Sequence, residues 1–406
     1  MTNVLVVSTI SYKRVEALLD ILADRFHDKR FEFYIINETF DAKPPENPKY
    51  NNYVSINDSS DEKDIDAALS HARSWPNFEH SIQTDEYAVT LLAILNDHLK
   101  LEGLTIEQAH RFRDKVPMKQ YLSQNICKPK LYTRQDILDN LIEYPVIVKP
   151  RTFAASRGVC IAKSKGELLH NIKGKNIDYS RPAKDTVEDV EVEEYIDSDV
   201  YHIDGLVFNG NIVFCTTSRY VESCFGYAQG KIFGSISVPK LQQEQALDFA
   251  QKVHSDLRIP DGAFHLECFF KNQKFIFLEI GIRPGGAEIV PAIEAATGIN
   301  LSEEHLVCQL GMKPTFEAHT QKHFGWLNYP YIYNCDSTKY VKKIVLPITT
   351  PASLYYSMVP KVGEKASSKF VNYDNSLGKF IFISDNREVL EKDMLAYANE
   401  YKVEVE

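Results

Sequence analysis

Two glutamates, Glu267 and Glu279, stand in an apolar stretch, 263–288, broken by a tight turn at Lys271–Lys274. Side chains along a strand alternate faces. His265, Glu267 and Phe269 therefore share one face, as do Glu279, Gly281 and Arg283 on the following strand. Folded back as a hairpin, the two acids become near neighbours across the pair. Facing carboxylates repel unless a cation lies between them or one is protonated. Their hard oxygens suit Mg²⁺, which takes one or two carboxylates and completes its shell with phosphate oxygens and water. Arg283 follows on the same face, suited to a phosphate oxygen. Pro284, Gly285 and Gly286 then form a turn whose bare backbone can come close to a ligand. The competing reading is a surface hairpin with solvated acids.

A second chemical stretch begins at Tyr144 and runs Pro-Val-Ile-Val-Lys-Pro-Arg-Thr-Phe-Ala-Ala-Ser-Arg-Gly. It predicts a strand over 145–149 ending in Lys149, a loop at 151–157 and a return strand from about Gly158. A lysine closing an apolar strand is costly unless it meets an anion, and a nucleotide phosphate is a natural partner. Ala154, Ala155 and Ser156 before Gly158 are small enough for backbone N–H groups to close over phosphate oxygens. The alternative is an ordinary hairpin with a snorkelling lysine. Downstream, 190–196 reads as a strand. His202 and Asp204 share a strand face and either line a substrate or serve the sheet itself. The polar run Ser81–Glu86 either caps the helix expected over 86–100 or faces a substrate, with capping preferred.

Taken in order, these motifs resemble the ATP-grasp ligases. That resemblance implies an α/β (α+β) ATP-grasp fold, with Glu267 and Glu279 as paired metal carboxylates and Arg283 as a phosphate-contacting arginine. It places Lys115, in Arg113-Asp114-Lys115 upstream of Met118-Lys119, on the nucleotide phosphates beside Lys149, Ser156 and Gly158. It puts Glu193, with the backbone of Glu194 and Ile196, on the adenine edge. Val200 stands where the family usually has a ribose-binding Glu, and Asp199 is the nearby substitute. Gly281 stands where Asn is commoner. The run Leu-Glu-Ile-Gly-Ile-Arg-Pro-Gly-Gly resembles the bacterial L-amino-acid (dipeptide) ligase branch in particular. The implied cofactors are ATP and Mg²⁺, with two ions expected and Mn²⁺ a substitute. The implied reaction joins two amino acids through an acyl phosphate, with His202, Asp204, Gly285 and Gly286 lining the substrate, and releases ADP and phosphate. Another ATP-grasp reaction (carboxylase, carbamoyl-phosphate or glycinamide type) and a non-catalytic nucleotide-binding protein are the alternatives.

The elements that must position these groups follow from the rest of the chain. A sequence of 406 residues with 44% hydrophobic content can bury two or three cores. A net charge of −10 without a basic patch argues against nucleic acid. The N-terminus lacks a signal-peptide pattern and no apolar run is long enough for a bilayer, so a cytoplasmic protein is expected, with small-molecule partners. Seven scattered cysteines without a CxxC pair give neither a zinc site nor a disulfide framework. The pattern predicts an N-terminal doubly wound βαβ domain over 1–108, with strands at 3–9 and 31–36, a helix at 13–26 and a loop over 41–61. It has no GxGxxG and is not expected to bind NAD. A central ATP-lid domain over 109–190 and a C-terminal antiparallel-sheet domain over 191–406 follow, with a small subdomain from about 320. Thr105 and Gln108 form a capping-box pattern, Asn209-Gly210 a hairpin turn, and 222–239 a loop. Gly298 and Gly311 read as helix stops. A homodimer is compatible with this organisation.

Overall fold

The computed structural model describes residues 1–38, 45–50, 52–172, 190–222, 226–227, 230–315, 322–333, 337–368 and 375–406. The run Val4-Leu5-Val6-Val7 is buried on both faces, as a central parallel strand requires. It lies in β1 (Thr2–Ser8), flanked by β2 (Phe31–Glu38) and β4 (His80–Gln83), with β3 (Tyr53–Ile56) outside β2. All of these pairs are parallel. Alternation divides the packing. Val4 and Val6 meet the helix Tyr12–Arg25 and Leu306 and Val307 of a distant helix, whereas Leu5 and Val7 meet Ala68, Leu69, Leu91 and Leu92. β3 lies inside the stretch expected to be loop. Four residues are too few to show a period, and the strand exists because Val54 and its neighbours complete the edge of β2.

A small antiparallel sheet follows, built from β5 (Leu131–Tyr132), β6 (Val146–Pro150), β7 (Cys160–Ala162) and β8 (Val190–Glu194), in the order β5-β8-β6-β7. Lys149 sits on β6 as expected, and the loop it precedes returns through β7.

The rest is organised on an eight-stranded antiparallel sheet. Its strands are β9 (Val200–Phe208), β10 (Asn211–Glu222), β11 (Phe233–Ser237), β12 (Gly262–Lys271), β13 (Lys274–Gly281), β14 (His323–Pro330) and two later strands, Ser376–Ser384 and Leu354–Met358. The order is β13-β12-β9-β10-β11-β14, then Ser376–Ser384 and Leu354–Met358. The Asn209-Gly210 turn joins β9 to β10 with both residues at positive φ (50° and 68°). β11 lies within 222–239, expected to be loop. Its Ser- and Gly-containing sequence hides a strand buried at every position. The capping box at Thr105 forms, and Gly298 and Gly311 end their helices at φ 77° and 66°. Among the described residues, no helix is long and apolar enough to cross a membrane.

Candidate active site

The hairpin β12–β13 turns through Asn272 and Gln273, both at positive φ (51° and 59°), the geometry of the tightest hairpin turns. The turn sets Cys268 opposite Phe277, and a bulge between Glu267 and Cys268 then skips Leu278, so that Glu267 pairs directly with Glu279. Neither acid is left to solvent in the manner of the surface-hairpin reading: their side chains are 14% and 29% exposed. Burial pushes Glu267 up. Hydrogen bonds from His265 and Tyr220, together with the His265 charge, outweigh that and hold its carboxyl below the usual carboxylate range. Lys115 Nζ stands 3.4 Å from Glu279 Oε2. The donor set, two opposed carboxylates, therefore fits a hard divalent cation.

Lys115 opens the helix Lys115–Tyr121, where Asp114 caps the N-terminus by accepting from Val116 N–H. Its ammonium also donates to Phe153 O at 2.5 Å, and Arg113 Nη2 donates to Thr152 O at 2.6 Å. Both cations thus grip the backbone of the loop after β6. In that loop Ala155 and Ser156 adopt φ of 59° and 54°, a costly conformation outside glycine that bends the backbone back on itself.

Arg283, expected to stand free for a phosphate, is held by Glu86, with Nε donating to Oε2 at 2.8 Å. The other oxygen of Glu86 accepts from Arg113 Nη1. Burial pushes Glu86 up, but Arg113, Arg283 and Lys115 bring its carboxyl down to about 2. The preferred capping role for Ser81–Glu86 is corrected by these contacts. The helix Ala88–Leu99 starts at Tyr87 without a side-chain cap. Asp85 accepts from Tyr87 N–H, but also from the N–H and hydroxyl of Thr9 at 2.8 and 2.6 Å. These acids tie the N-terminal sheet to the site, and Gln83 Nε2 adds a bond of 2.7 Å to Ile282 O. The same contact accounts for Gly281. A Cβ there would lie 2.6 Å from Glu86 Oε2, so the carboxylate fills the space a side chain would need.

Lys149 finds its anion inside the protein. Its Nζ lies 2.6 Å from Glu193 Oε1, and Lys119 Nζ lies 2.7 Å from Glu191 Oε1 and 3.1 Å from Glu193 Oε2. All four side chains are at most 5% exposed. Burial alone would neutralise Lys149, but Glu193, Glu191 and Glu279 hold it charged. Glu193 falls below the usual range under the pull of Lys119 and Lys149 despite its burial. Glu191 is pushed up to about 7 by burial, against Lys119. The Glu193 carboxylate, expected on the adenine edge, is thus spent on two lysines, and the Glu194 N–H already donates to Lys130 O. Ile196 lies in the half-buried connection to β9.

On the sheet face beside Glu267, Asp204 accepts from His202 Nδ1 at 2.5 Å and from His265 Nδ1 at 2.8 Å. Both histidines share one buried carboxylate next to the paired acids. Burial pushes His265 down, but Asp204 and Glu267 reverse this and raise it to about 9. Gly285 closes over Asp204: a Cβ at 285 would lie 2.7 Å from Oδ1. Gly286 has open space around it. Asp199 stands apart, 65% exposed, with Arg219 Nη1 at 3.6 Å.

Residues 142–290 match the family model of the ATP-grasp domain. The chain carries an ATP-grasp domain. An L-arginine-specific L-amino acid ligase of Bacillus subtilis is 26% identical over 243 residues, which covers 56% of this chain and 57% of that protein. A formate-dependent phosphoribosylglycinamide formyltransferase of Prochlorococcus marinus (strain NATL1A) is 28% identical over 182 residues, 44% of each chain. The aligned part thus spans about half the length of these relatives. Among solved structures, an L-amino acid ligase from Bacillus licheniformis superposes with a TM-score of 0.76 over 100% of this chain and 98% of that one, at 18% identity. The ATP-grasp domain accordingly holds β6 to β13, the stretch that carries Lys149, Glu193, Asp204, Glu267, Glu279 and Arg283.

Sequence reasoning passed over Lys119, Glu191 and Tyr220 as site residues and assigned Glu86 to a run whose preferred role was capping. Lys119 and Glu191 lie within quoted motifs, and the signal they offered was a charged residue in an apolar setting. Glu86 offered only its place in a polar run and Tyr220 offered none, since each meets its partner only through the fold.

Proposed function

We propose that this protein is an ATP-dependent carboxylate–amine ligase that joins two amino acids. The observation that carries the reading is the register pairing of Glu267 with Glu279, with Lys115 on one acid and the Glu86–Arg283 pair beside them. Glu267 and Glu279 would hold Mg²⁺, which when bound supplies positive charge to the phosphate oxygens of ATP. Lys115 and the loop after β6 would hold the nucleotide phosphates, and Lys149 would support them from beneath. A carboxylate oxygen of the first amino acid attacks the γ-phosphorus. The bond from that phosphorus to the bridging oxygen of ADP breaks, giving an acyl phosphate. The amine of the second amino acid then attacks the acyl carbon, phosphate leaves, and the amine proton passes to solvent. Arg283 would stabilise the charge spreading over the transferring group, the main contribution in phosphoryl transfer. Asp204, His202 and the Gly285–Gly286 turn would line the amino-acid side. The L-amino acid ligases among the relatives support this substrate class, and of the three units expected at 1–108, 109–190 and 191–406 we move the second boundary past Glu194, because β8 pairs with β5 and β6.

Chromatography of the nucleotide product across amino-acid pairs, with ATP and Mg²⁺, tests this. ADP and phosphate formed only when amino acids are present is the expected result. AMP in step with amide would overturn the acyl-phosphate route. ADP formation driven by formate or bicarbonate instead would favour the glycinamide or carboxylase type of reaction.

A further inference from the structure

The group His202, Asp204 and His265 has the composition of a metal site, with ligand atoms all within 4.8 Å of one another. Its spacing decides otherwise. Metal–ligand bonds of about 2.0–2.1 Å in tetrahedral geometry set ligand atoms roughly 3.3 Å apart. Here both imidazole nitrogens lie 2.5 and 2.8 Å from Asp204 oxygens, at hydrogen-bond distance. The group holds protons in place and leaves each imidazole oriented by the carboxylate.

The orientation has a target. His265 turns its Nε2 toward Glu267 Oε1 at 3.5 Å, and the Tyr220 hydroxyl donates to that same oxygen at 2.9 Å. Tyr220 comes from β10, two strands away from β12 in the sheet, and its ring packs on His202 with centroids 4.6 Å apart. Asp204 thus fixes both rings, His202 backs Tyr220, and His265 and Tyr220 converge on one oxygen of one acid.

We infer that Tyr220 is a positioning residue for the metal carboxylate, with the His202–Asp204–His265 chain as its support. Tyr220 and His265 occupy Oε1 of Glu267 and so leave Oε2 for the divalent cation. The inference rests on the reading of Glu267 and Glu279 as the cation pair. A ligating carboxylate that is hydrogen-bonded from behind is pre-oriented, and loss of such a partner typically costs about 10–100-fold in metal affinity.

The test measures free Mn²⁺ by electron paramagnetic resonance in the presence of ADP, on the full chain. Tyr220→Phe is expected to weaken Mn²⁺ binding by about 10–100-fold. Its thermal midpoint and its affinity for ADP in chelator should match the wild type, and excess Mn²⁺ should restore nucleotide turnover. Asp204→Asn, which keeps volume but loosens both histidines, should weaken Mn²⁺ in the same direction and serves if Tyr220→Phe does not fold. Glu279→Gln separates this inference from the reading beneath it. If Glu279→Gln loses Mn²⁺ while Tyr220→Phe or Asp204→Asn binds within about twofold of wild type, the positioning role is wrong and the cation pair stands. If Glu279→Gln also binds Mn²⁺ normally, the cation pair itself is wrong.

Discussion

Two clusters of charge sit within reach of one another and are built on opposite terms. In the small sheet, Lys119 and Lys149 face Glu191 and Glu193, two lysines against two acids, closed off from water. At the hairpin, Glu267 and Glu279 face each other, with Lys115 within salt-bridge distance of Glu279 and His265 within salt-bridge distance of Glu267. In the first cluster each acid has a lysine at hydrogen-bond distance, and it reads as part of the framework. In the second, two acids are set directly opposite each other, the arrangement a divalent cation spans. Acids matched with lysines therefore mark structure, and acids set face to face at a buried site mark a place prepared for a ligand.

The sharpest way to break this comparison is to remove one member from each cluster. Glu279→Gln takes charge from the facing acids, so turnover should fall by on the order of a thousandfold while stability changes little. Steady-state ADP release and urea unfolding check both halves. Lys119→Met does the reverse. It leaves an uncompensated buried acid, and stability should drop by about 3–5 kcal/mol in the same urea assay. If Lys119→Met unfolds at the wild-type midpoint, the lysine–glutamate cluster is not holding the small sheet together.

A smaller effect sharpens the role of Glu86, which joins the two regimes. Its carboxyl is lowered to about 2 in the folded protein. A lowered carboxyl contributes stability above its unfolded value, near pH 4.5, and loses it as pH falls toward 2. The stability gap between wild type and Glu86→Gln should be about 2 kcal/mol at pH 6, discounting for its 14% exposure, should narrow by roughly half as pH is lowered to 3, and should close only below about 2. Thermal melts across that range read it, and a gap that widens in acid would contradict the assignment.

How much of this could be read from the sequence depends on how far apart the partners lie in the chain. The hairpin was legible because its turn and apolar alternation lie within 20 residues, whereas the bulge that brings Glu267 opposite Glu279 was not encoded in that alternation. Lys149 was legible as a buried cation, and only its partner was not, since Glu193 lies on β8 beyond a long excursion. Glu86 meets Arg283 across a separation of 197 residues, and Tyr220 meets Glu267 across 47. No local period encodes such contacts. The strands β3 and β11 were hidden for a different reason. They are four and five residues long, and neighbouring strands, not their own composition, make them strands.

The close approach of Gly281 to Glu86 makes positions 86 and 281 share a single volume. Neither residue is then free to drift alone. A side chain gained at 281 has to push the Glu86 carboxylate aside, and the oxygen it displaces is the one that accepts from Arg283 Nε.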